Sequence, residues 1–240
     1  MKAMILAAGL GTRLKPWTDH HPKALAMVNG KSLLQRNVLY LQSFGIRELL
    51  VNVHHFADQI VEAIESNRGW GSKITISDET DAVLETGGGL KKAAWYFEQA
   101  SDFVLMNADI LTKLDLAAML EAHRQTQPLA TLAVTGRESS RYFLFQENRL
   151  CGWRNVNTGE EKPAGISATH PTAIPKAFSG IHIINQRLLS LMNREGKFSM
   201  VDVYLDLCAA ENIQAYDHTG TLLLDVGKPE SLLKAEQYFS

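Results

Sequence analysis

Lys2-Ala3-Met4-Ile5-Leu6-Ala7-Ala8-Gly9-Leu10-Gly11-Thr12-Arg13-Leu14-Lys15-Pro16 is the stretch on which the fold turns. A short apolar run suited to a buried strand breaks into alanines and glycines, then delivers an arginine. Pro22-Lys23 follows, with Lys23 ten residues beyond Arg13. Glycines let the backbone turn tightly and bring N–H groups close to phosphate oxygens. Arg13 and Lys23 add mobile positive charge to that fixed array. The loop reads as a cradle for a polyphosphate.

Two familiar phosphate loops do not fit. A dinucleotide fold wants Gly-x-Gly-x-x-Gly, and Leu14 stands where the third glycine belongs. Gly30-Lys31-Ser32 imitates the end of a nucleotide-hydrolase loop, but that motif needs a glycine where Leu25 stands. The stretch from Leu6 to Thr18, with Pro22-Lys23, instead matches L-A-A/G-G-x-G-T-R-L-x-P-x-T followed by P-K. On those residues the chain resembles the nucleotidylyltransferases that make nucleotide sugars. The resemblance implies a Rossmann-like, GT-A-like nucleotidyltransferase fold, a three-layer α/β/α arrangement around a mixed, mainly parallel sheet. It implies one domain over residues 1–240, with 1–135 holding the nucleotide and 136–240 the sugar. It places Leu6, Ala7, Ala8, Gly9, Gly11 and Thr12 against the nucleotide.

Bulk properties agree. A chain of 240 residues, 45% hydrophobic, can bury a full core. A net charge of −2, without basic tracts, offers no field for nucleic acid. Cys151 and Cys208 lack metal-ligand spacing and read as reduced thiols of a cytosolic protein. The run from Ala3 to Ala8 is short for a secretion signal, and no segment is long and apolar enough for a bilayer span. The expectation is a cytoplasmic protein, monomer or homodimer, away from membranes. No repeat or linker breaks the chain.

Strand and helix patterns alternate through the first half, the mark of a parallel sheet covered on both faces. Ser32 caps a helix carrying Leu33, Leu34, Val38, Leu41 and Phe44 at helical spacing, and Gly45 ends it. Leu49 to Val53 reads as a strand, Asp58 to Ser66 as a helix and Lys73 to Ser77 as a strand. Asp78 to Gly89 reads as a loop, followed by a helix through Trp95 and Phe97. Phe103 to Met106 is a buried strand ending at Asn107-Ala108-Asp109. Ligands of open α/β sheets sit beyond the carboxyl ends of strands, so the glycine loop and Asp109 share one crevice. A helix from Leu114 to Gln125 and a strand from Ala130 to Thr135 follow. Tyr142–Gln146 and Arg149–Arg154 read as antiparallel strands joined at Glu147-Asn148. Residues 155–176 read as the least structured part. Then come a strand at Ala177–Ile184, helices at 186–194 and 200–211, strands near 213–217 and 221–225, and a helix from Pro229.

Moving a nucleotidyl group brings an anionic nucleophile against an anionic α-phosphate, so cations and hydrogen-bond donors carry most of the catalysis. A magnesium ion held by one or two carboxylates can bridge the phosphates. Asp109 and Asp225 stand at strand ends. Taken alone, Asp109 reads equally well as a helix cap. In the resembled family one metal aspartate follows the fourth strand and another sits in D-V-G. Asp109 and Asp225-Val226-Gly227 match, implying Mg²⁺ ligands. Arg13 would stabilise the departing pyrophosphate and Lys23 the α-phosphate or sugar phosphate. The doublets His20-His21 and His54-His55 lack a carboxylate at ligand spacing and read as structural or solvated. Trp95, Tyr96 and Phe97 read as helix packing.

Leu84-Glu85-Thr86-Gly87-Gly88-Gly89 bears on the base. Consecutive glycines permit close approach to a flat ring and make poor helix filler. Glu85 accepts only, so against the base it would suit uracil, thymine or guanine and repel cytosine N3. It can equally hold ribose hydroxyls. On the close approach that bare glycines allow, Gly87 and Gly88 are assigned to the nucleotide; L-E-T-G-G-G itself looks most like the short N-acetylmuramate-1-phosphate uridylyltransferases of cell-wall recycling. Glu161-Lys162-Pro163 resembles the thymidylyl branch, whose lysine contacts the sugar phosphate, and Phe178-Ser179-Gly180-Ile181 fits a strand whose glycine admits the sugar. Asn107, Lys162 and Gly180 are therefore the sugar-side expectations. Leu223, Lys228 and Ala108 depart from the usual pattern. The resemblance implies Mg²⁺-dependent transfer from UTP to N-acetylmuramate 1-phosphate. Guanylyl-, thymidylyl- or phosphocholine cytidylyltransfer, and a nucleotide-sugar-binding regulatory subunit without turnover, stand as alternatives.

Overall fold

A computed structural model describes residues 1–239. Lys2–Leu6 (β1) lies between Glu48–Val53 (β2) and Asp102–Asn107 (β4), and Lys73–Asp78 (β3) extends the sheet beyond β2, all four parallel. Successive side chains of β1 point to opposite faces. Ala3 and Ile5 join one apolar cluster with Leu49, Val51 and Val104. Met4 joins the other with Leu50, Phe103 and Leu105. Both faces are thus covered, which is why these strands are apolar runs rather than alternating patterns.

Leu33–Ser43 (α1), Ala57–Ser66 (α2) and Leu116–Thr126 (α4) fall where the 3.6-residue period puts them, and Glu85–Lys92 (α3) is a further helix. Ser32 Oγ accepts the Gln35 N–H at 3.1 Å, and Gly45 takes the left-handed turn after α1 at φ +77°. The second half adds Ala130–Thr135 (β5), Arg141–Gln146 (β6), Arg149–Asn155 (β7), Glu160–Lys162 (β8), Ile174–Asn185 (β9) and Ile213–Asp217 (β10). The sheet runs β8-β7-β10-β5-β9-β4-β1-β2-β3, with β6 bridging β7 and β9. β9 is antiparallel to β4 and β5, which makes the sheet mixed. Ile166–Thr169 (α5), Arg187–Leu191 (α6), Met200–Leu207 (α7) and Pro229–Tyr238 (α8) complete the helices. Among the described residues no helix is long and apolar enough to cross a membrane.

The chief departure from the sequence reading is α3. Residues 85–89 form helix, not loop, and the glycines are fixed by close packing. A Cβ on Gly87 would lie 2.5 Å from the Phe198 ring, and one on Gly88 2.3 Å from Gly196 O. A helix can approach another backbone that closely only without side chains, so tertiary packing outweighs the poor helix propensity of glycine. Residues 94–97 form a short 3₁₀ turn rather than the expected helix. The stretch 155–176 carries β8 and α5, and β9 starts three residues before Ala177, where it pairs with β6. The helices at 187–191 and 200–207 are shorter than their patterns suggest.

Candidate active site

The site is built at the carboxyl ends of β1, β2 and β4. Leaving β1, the Ala7 N–H donates to Asn52 Oδ1 at 2.7 Å, which anchors the start of the glycine loop to β2. Gly11 is left-handed at φ +63°, and Thr18 Oγ1 donates to its carbonyl at 3.0 Å. A Cβ on Gly11 would stand 2.9 Å from both Lys23 Cβ and Thr18 Cγ2. The bare glycine therefore lets the Lys23 stem pass directly behind the loop, delivering its ammonium to Asp109 Oδ2 in an ion pair.

Asp225 arrives by another route. Leu223–Asp225 pairs antiparallel with Ile110–Thr112, so Asp225 is the register partner of Ile110. The Val226 N–H donates to Asp109 O at 2.8 Å. Two aspartates 116 positions apart in sequence thus stand one position apart at the end of one ribbon, Asp225 opposite Ile110 and Asp109 bonded to Val226. Arg13 Nη2 lies 3.9 Å from Asp225 Oδ2. A Cβ on Gly227 would fall 2.8 Å from both Arg13 Nη2 and Asp225 Oδ1, so the D-V-G glycine keeps that gap open. The two pairs differ in shielding. Lys23 and Asp109 side chains are 12% and 23% exposed, whereas Arg13 and Asp225 are 58% and 48% exposed at the rim. The outer pair contributes little to stability and stays free to re-partner.

Lys23 and Asp109 line a crevice of about 520 Å³, whereas Arg13 and Asp225, expected beside them, are not among its lining residues and stand outside it as the more exposed pair. Of the residues expected from sequence, Leu6, Ala7, Ala8, Gly9, Gly11, Thr12, Lys23, Glu85, Asn107 and Asp109 line it. Glu85 is left-handed at φ +60° and its Oε1 lies 3.6 Å from Lys197 Nζ, both side chains about half exposed. Gly87 and Gly88 do not line the crevice. Their N–H groups donate to Phe198 O at 2.9 and 3.1 Å, so the glycine run braces α3 instead of cradling a ring. Gly180 lies behind Asn107: its Cβ would come 2.9 Å from Asn107 Nδ2 and 2.8 Å from Ile110 Cγ1. Lys162 faces a different cavity, of about 900 Å³. It reaches the crevice only indirectly, 3.5 Å from Asp202, whose carboxylate accepts from Ser199 Oγ at 2.7 Å.

The crevice also uses Asn52, Glu79, Thr86, Lys197 and Ser199, which the sequence reading did not single out. A signal existed for two of them. Asn52 interrupts the apolar run Leu49-Leu50-Val51-Asn52-Val53, and a buried polar group in such a strand demands partners. Ser199-Met200-Val201-Asp202 has the spacing of a capping box, and the structure contains one at the start of α7. Among the described residues no group of three or more histidines, cysteines and carboxylates could hold a metal. Asp109 and Asp225 fall below that number, but Mg²⁺ takes only one or two carboxylates from protein and completes its shell with water and phosphate.

The profile of the Nucleotidyl transferase family matches residues 2–240. An N-acetylmuramate alpha-1-phosphate uridylyltransferase of Caulobacter vibrioides is 29% identical over 238 residues, 98% of this chain and 95% of that one. A mannose-1-phosphate guanyltransferase of Yarrowia lipolytica is 27% identical over 236 residues, 97% of this chain but 62% of the relative, so the chain spans less than two thirds of that protein. Among solved structures, HddC from Yersinia pseudotuberculosis complexed with GMP-PN matches with TM-score 0.77 and 25% identity, over 100% of this chain and 99% of that one. A putative glucose-1-phosphate thymidylyltransferase from Bacillus anthracis shares the fold at TM-score 0.82 and 17% identity, over 99% of this chain and 94% of its own. The Rossmann-like nucleotidyltransferase fold expected from the opening motif is the one found.

Proposed function

Because the chain belongs to the Nucleotidyl transferase family, we propose that it transfers a nucleotidyl group from a nucleoside triphosphate to a sugar 1-phosphate. The observation that carries this reading is the ribbon that sets Asp225 beside Asp109, with Lys23 on one carboxylate and Arg13 on the other. A phosphate oxygen of the sugar attacks the α-phosphorus. The new O–P bond forms as the α–β bridge breaks, and pyrophosphate leaves with the bridging electrons.

Each of the chain's own groups meets one part of that charge problem. Backbone N–H groups of residues 8–12 face the triphosphate. Lys23, shielded behind Gly11, neutralises the α-phosphate or the incoming sugar phosphate in a low-dielectric pocket, where a charge acts more strongly than in water. Arg13 at the rim stabilises the departing pyrophosphate. Asp109 and Asp225 would hold Mg²⁺, which when bound neutralises phosphate oxygens of both substrates. Residues 1–135 hold the nucleotide and 136–240 the sugar, with Asn107 on the sugar side, Gly180 supporting it and Lys162 acting through Asp202.

UTP and N-acetylmuramate 1-phosphate are the preferred substrates in this proposal. The Caulobacter vibrioides relative, matched over nearly its full length, and the L-E-T-G-G-G run support them. Cytoplasmic cell-wall recycling is the corresponding setting. A guanylyltransferase is the competing reading, favoured by the likeness to HddC complexed with GMP-PN. The deciding experiment measures pyrophosphate release for UTP, TTP, GTP and CTP crossed with N-acetylmuramate, mannose and glucose 1-phosphates, with Mg²⁺. Highest turnover with UTP and N-acetylmuramate 1-phosphate is expected. Preference for GTP with a mannose-type phosphate would replace the substrate assignment, and no release with any pair would point to a binding subunit without turnover.

A further inference from the structure

The crevice carries a second cation, set apart from the phosphate-handling groups. Among the described residues, Lys23 and Lys197 are the two basic ones that line it. Lys23 is committed to Asp109. Lys197 comes from the segment leading into α7, and its ion pair is with Glu85 Oε1, 3.6 Å away, both side chains about half exposed. A pair that long and that exposed contributes little, so the ammonium is available to a ligand.

A lysine on a loose surface loop would be merely solvated, but this backbone is held on both sides. The Phe198 N–H donates to Leu84 O at 3.2 Å, and Phe198 O accepts from the Gly87 and Gly88 N–H groups. The Met200 N–H donates to Thr86 Oγ1 at 2.9 Å, and Ser199 opens the capping box of α7. The Phe198 ring is buried in the apolar cluster with Leu90 and Tyr204. On the other side Gly196 is left-handed at φ +72°, and its carbonyl oxygen lies against bare Gly88. The glycines of α3 thus let residues 196–200 dock directly on the helix backbone, and the Lys197 stem leaves from a fixed point. A charge presented in this way loses less freedom when it takes a ligand.

The donors at this junction suit an anion. An ammonium offers three donors and no acceptor. Thr86 also lines the crevice, and because its oxygen accepts from Met200 its hydroxyl proton is left to donate. The phosphates already have Lys23 and Arg13, while the ionic contact of Lys197 is with neither of their aspartates. A separate cation calls for a separate anionic group on the substrate. Resting on the nucleotidyltransfer reading, we propose that Lys197 pairs with a carboxylate carried by the sugar, so that the acceptor is an acidic sugar 1-phosphate. N-acetylmuramate 1-phosphate is such a molecule: its lactyl ether ends in a carboxylate that N-acetylglucosamine 1-phosphate, otherwise the same, lacks. With the first the lysine gains a charge-assisted hydrogen bond, and with the second it has nothing to meet. Glu85, half exposed, turns aside to solvent or hydroxyl groups as the carboxylate arrives. No bond of the reaction forms or breaks at Lys197, whose part is to select the sugar.

The test measures pyrophosphate release with N-acetylmuramate and N-acetylglucosamine 1-phosphates, using Mg²⁺ and the nucleoside triphosphate that the chain turns over fastest. Wild type, Lys197→Gln and Lys197→Arg are compared. Wild type is expected to favour the muramate by at least about tenfold in kcat/KM. Lys197→Gln should lose about tenfold on the muramate, chiefly through KM, and about twofold or less on the glucosamine, so the preference collapses. Lys197→Arg keeps the charge and should hold the preference within about threefold of wild type. Wild type that takes both sugars equally, or turns over neutral sugars alone, overturns the inference, and neither result depends on a variant folding. So does a Lys197→Gln loss equal on both sugars, which would put the ammonium on the nucleotide, or a preference that Lys197→Gln leaves unchanged. No release with any nucleotide and sugar pair would overturn the nucleotidyltransfer reading as well, whereas release with the wrong sugar removes this inference alone.

Discussion

Gly88→Ala isolates the role of the glycine run. The added Cβ would stand 2.3 Å from Gly196 O and 3.0 Å from Leu84 Cβ. Ordinary carbon contacts begin near 3.5 Å, so α3 and the segment at Gly196 must separate by about 1 Å. Overpacking of this kind costs about 1–3 kcal/mol. The same separation stretches the bonds from Gly87 and Gly88 N–H to Phe198 O, each worth about 1 kcal/mol. Against this, alanine gains about 1 kcal/mol of helix propensity over glycine. The balance is a loss of about 2 kcal/mol, or a melting temperature lower by about 4–8 °C for a chain of this size. Thermal unfolding followed by circular dichroism reads it directly. Gly9→Ala is the control: Gly9 has ordinary φ and nothing within 4 Å of an added Cβ, so its melting temperature should move by about 1 °C or less. A Gly88→Ala protein as stable as wild type, or more so, would refute the packing account and return the glycines to a ligand-facing role.

Removing the cations should show in steady-state pyrophosphate release. Arg13→Ala and Lys23→Ala are each expected to lose about 10²–10³ in kcat/KM, the scale of a preorganised charge stabiliser. Lys23→Ala should also lower stability, since it strips the partner from a shielded Asp109 carboxylate, whereas Arg13→Ala at the rim should not. Acid should weaken the fold before the carboxylates titrate. His182 is fully buried with Nδ1 2.7 Å from Tyr204 Oη, and burial pulls its pKa down to about 3. Below about pH 6.5 the unfolded chain takes up a proton that folded His182 refuses. Stability is therefore whole above that pH and falls by up to about 1.4 kcal/mol per unit on the way down. His123 and His218, also lowered by burial, act in the same sense. Urea midpoints between pH 7 and 5 should fall in wild type and fall less in His182→Gln.

The first half of the fold was open to reading because its signals are local. The apolar runs of β1, β2 and β4, the Ser32 cap and the left-handed Gly45 each act within a few residues. The candidate site was legible where residue types are rare for a structural purpose, as with Lys23 behind the glycine loop and Asp109 at a strand end, both on the crevice wall. What escaped depends on contacts far apart in sequence. Gly87 and Gly88 look like a ring cradle until Phe198, more than a hundred positions on, is seen to take their N–H groups. Glu79 looks like any acidic residue after a strand until α3 closes over it at Gly89. Lys162 matched a motif whose role depends on where β8 lies, and β8 ends the sheet beside a second cavity.

The convergence of Asp109 and Asp225 is tested most directly by their asparagine variants, Asp109→Asn and Asp225→Asn, alone and combined, in Mg²⁺-supported pyrophosphate release with nucleotide affinity measured alongside. Each single variant should lose about a hundredfold or more in rate, with the double variant little worse than either because the pair acts as one unit. Nucleotide binding without metal should stay within a few-fold. Full activity in either single variant, or losses that multiply in the double, would mean that the two carboxylates do not serve a common centre.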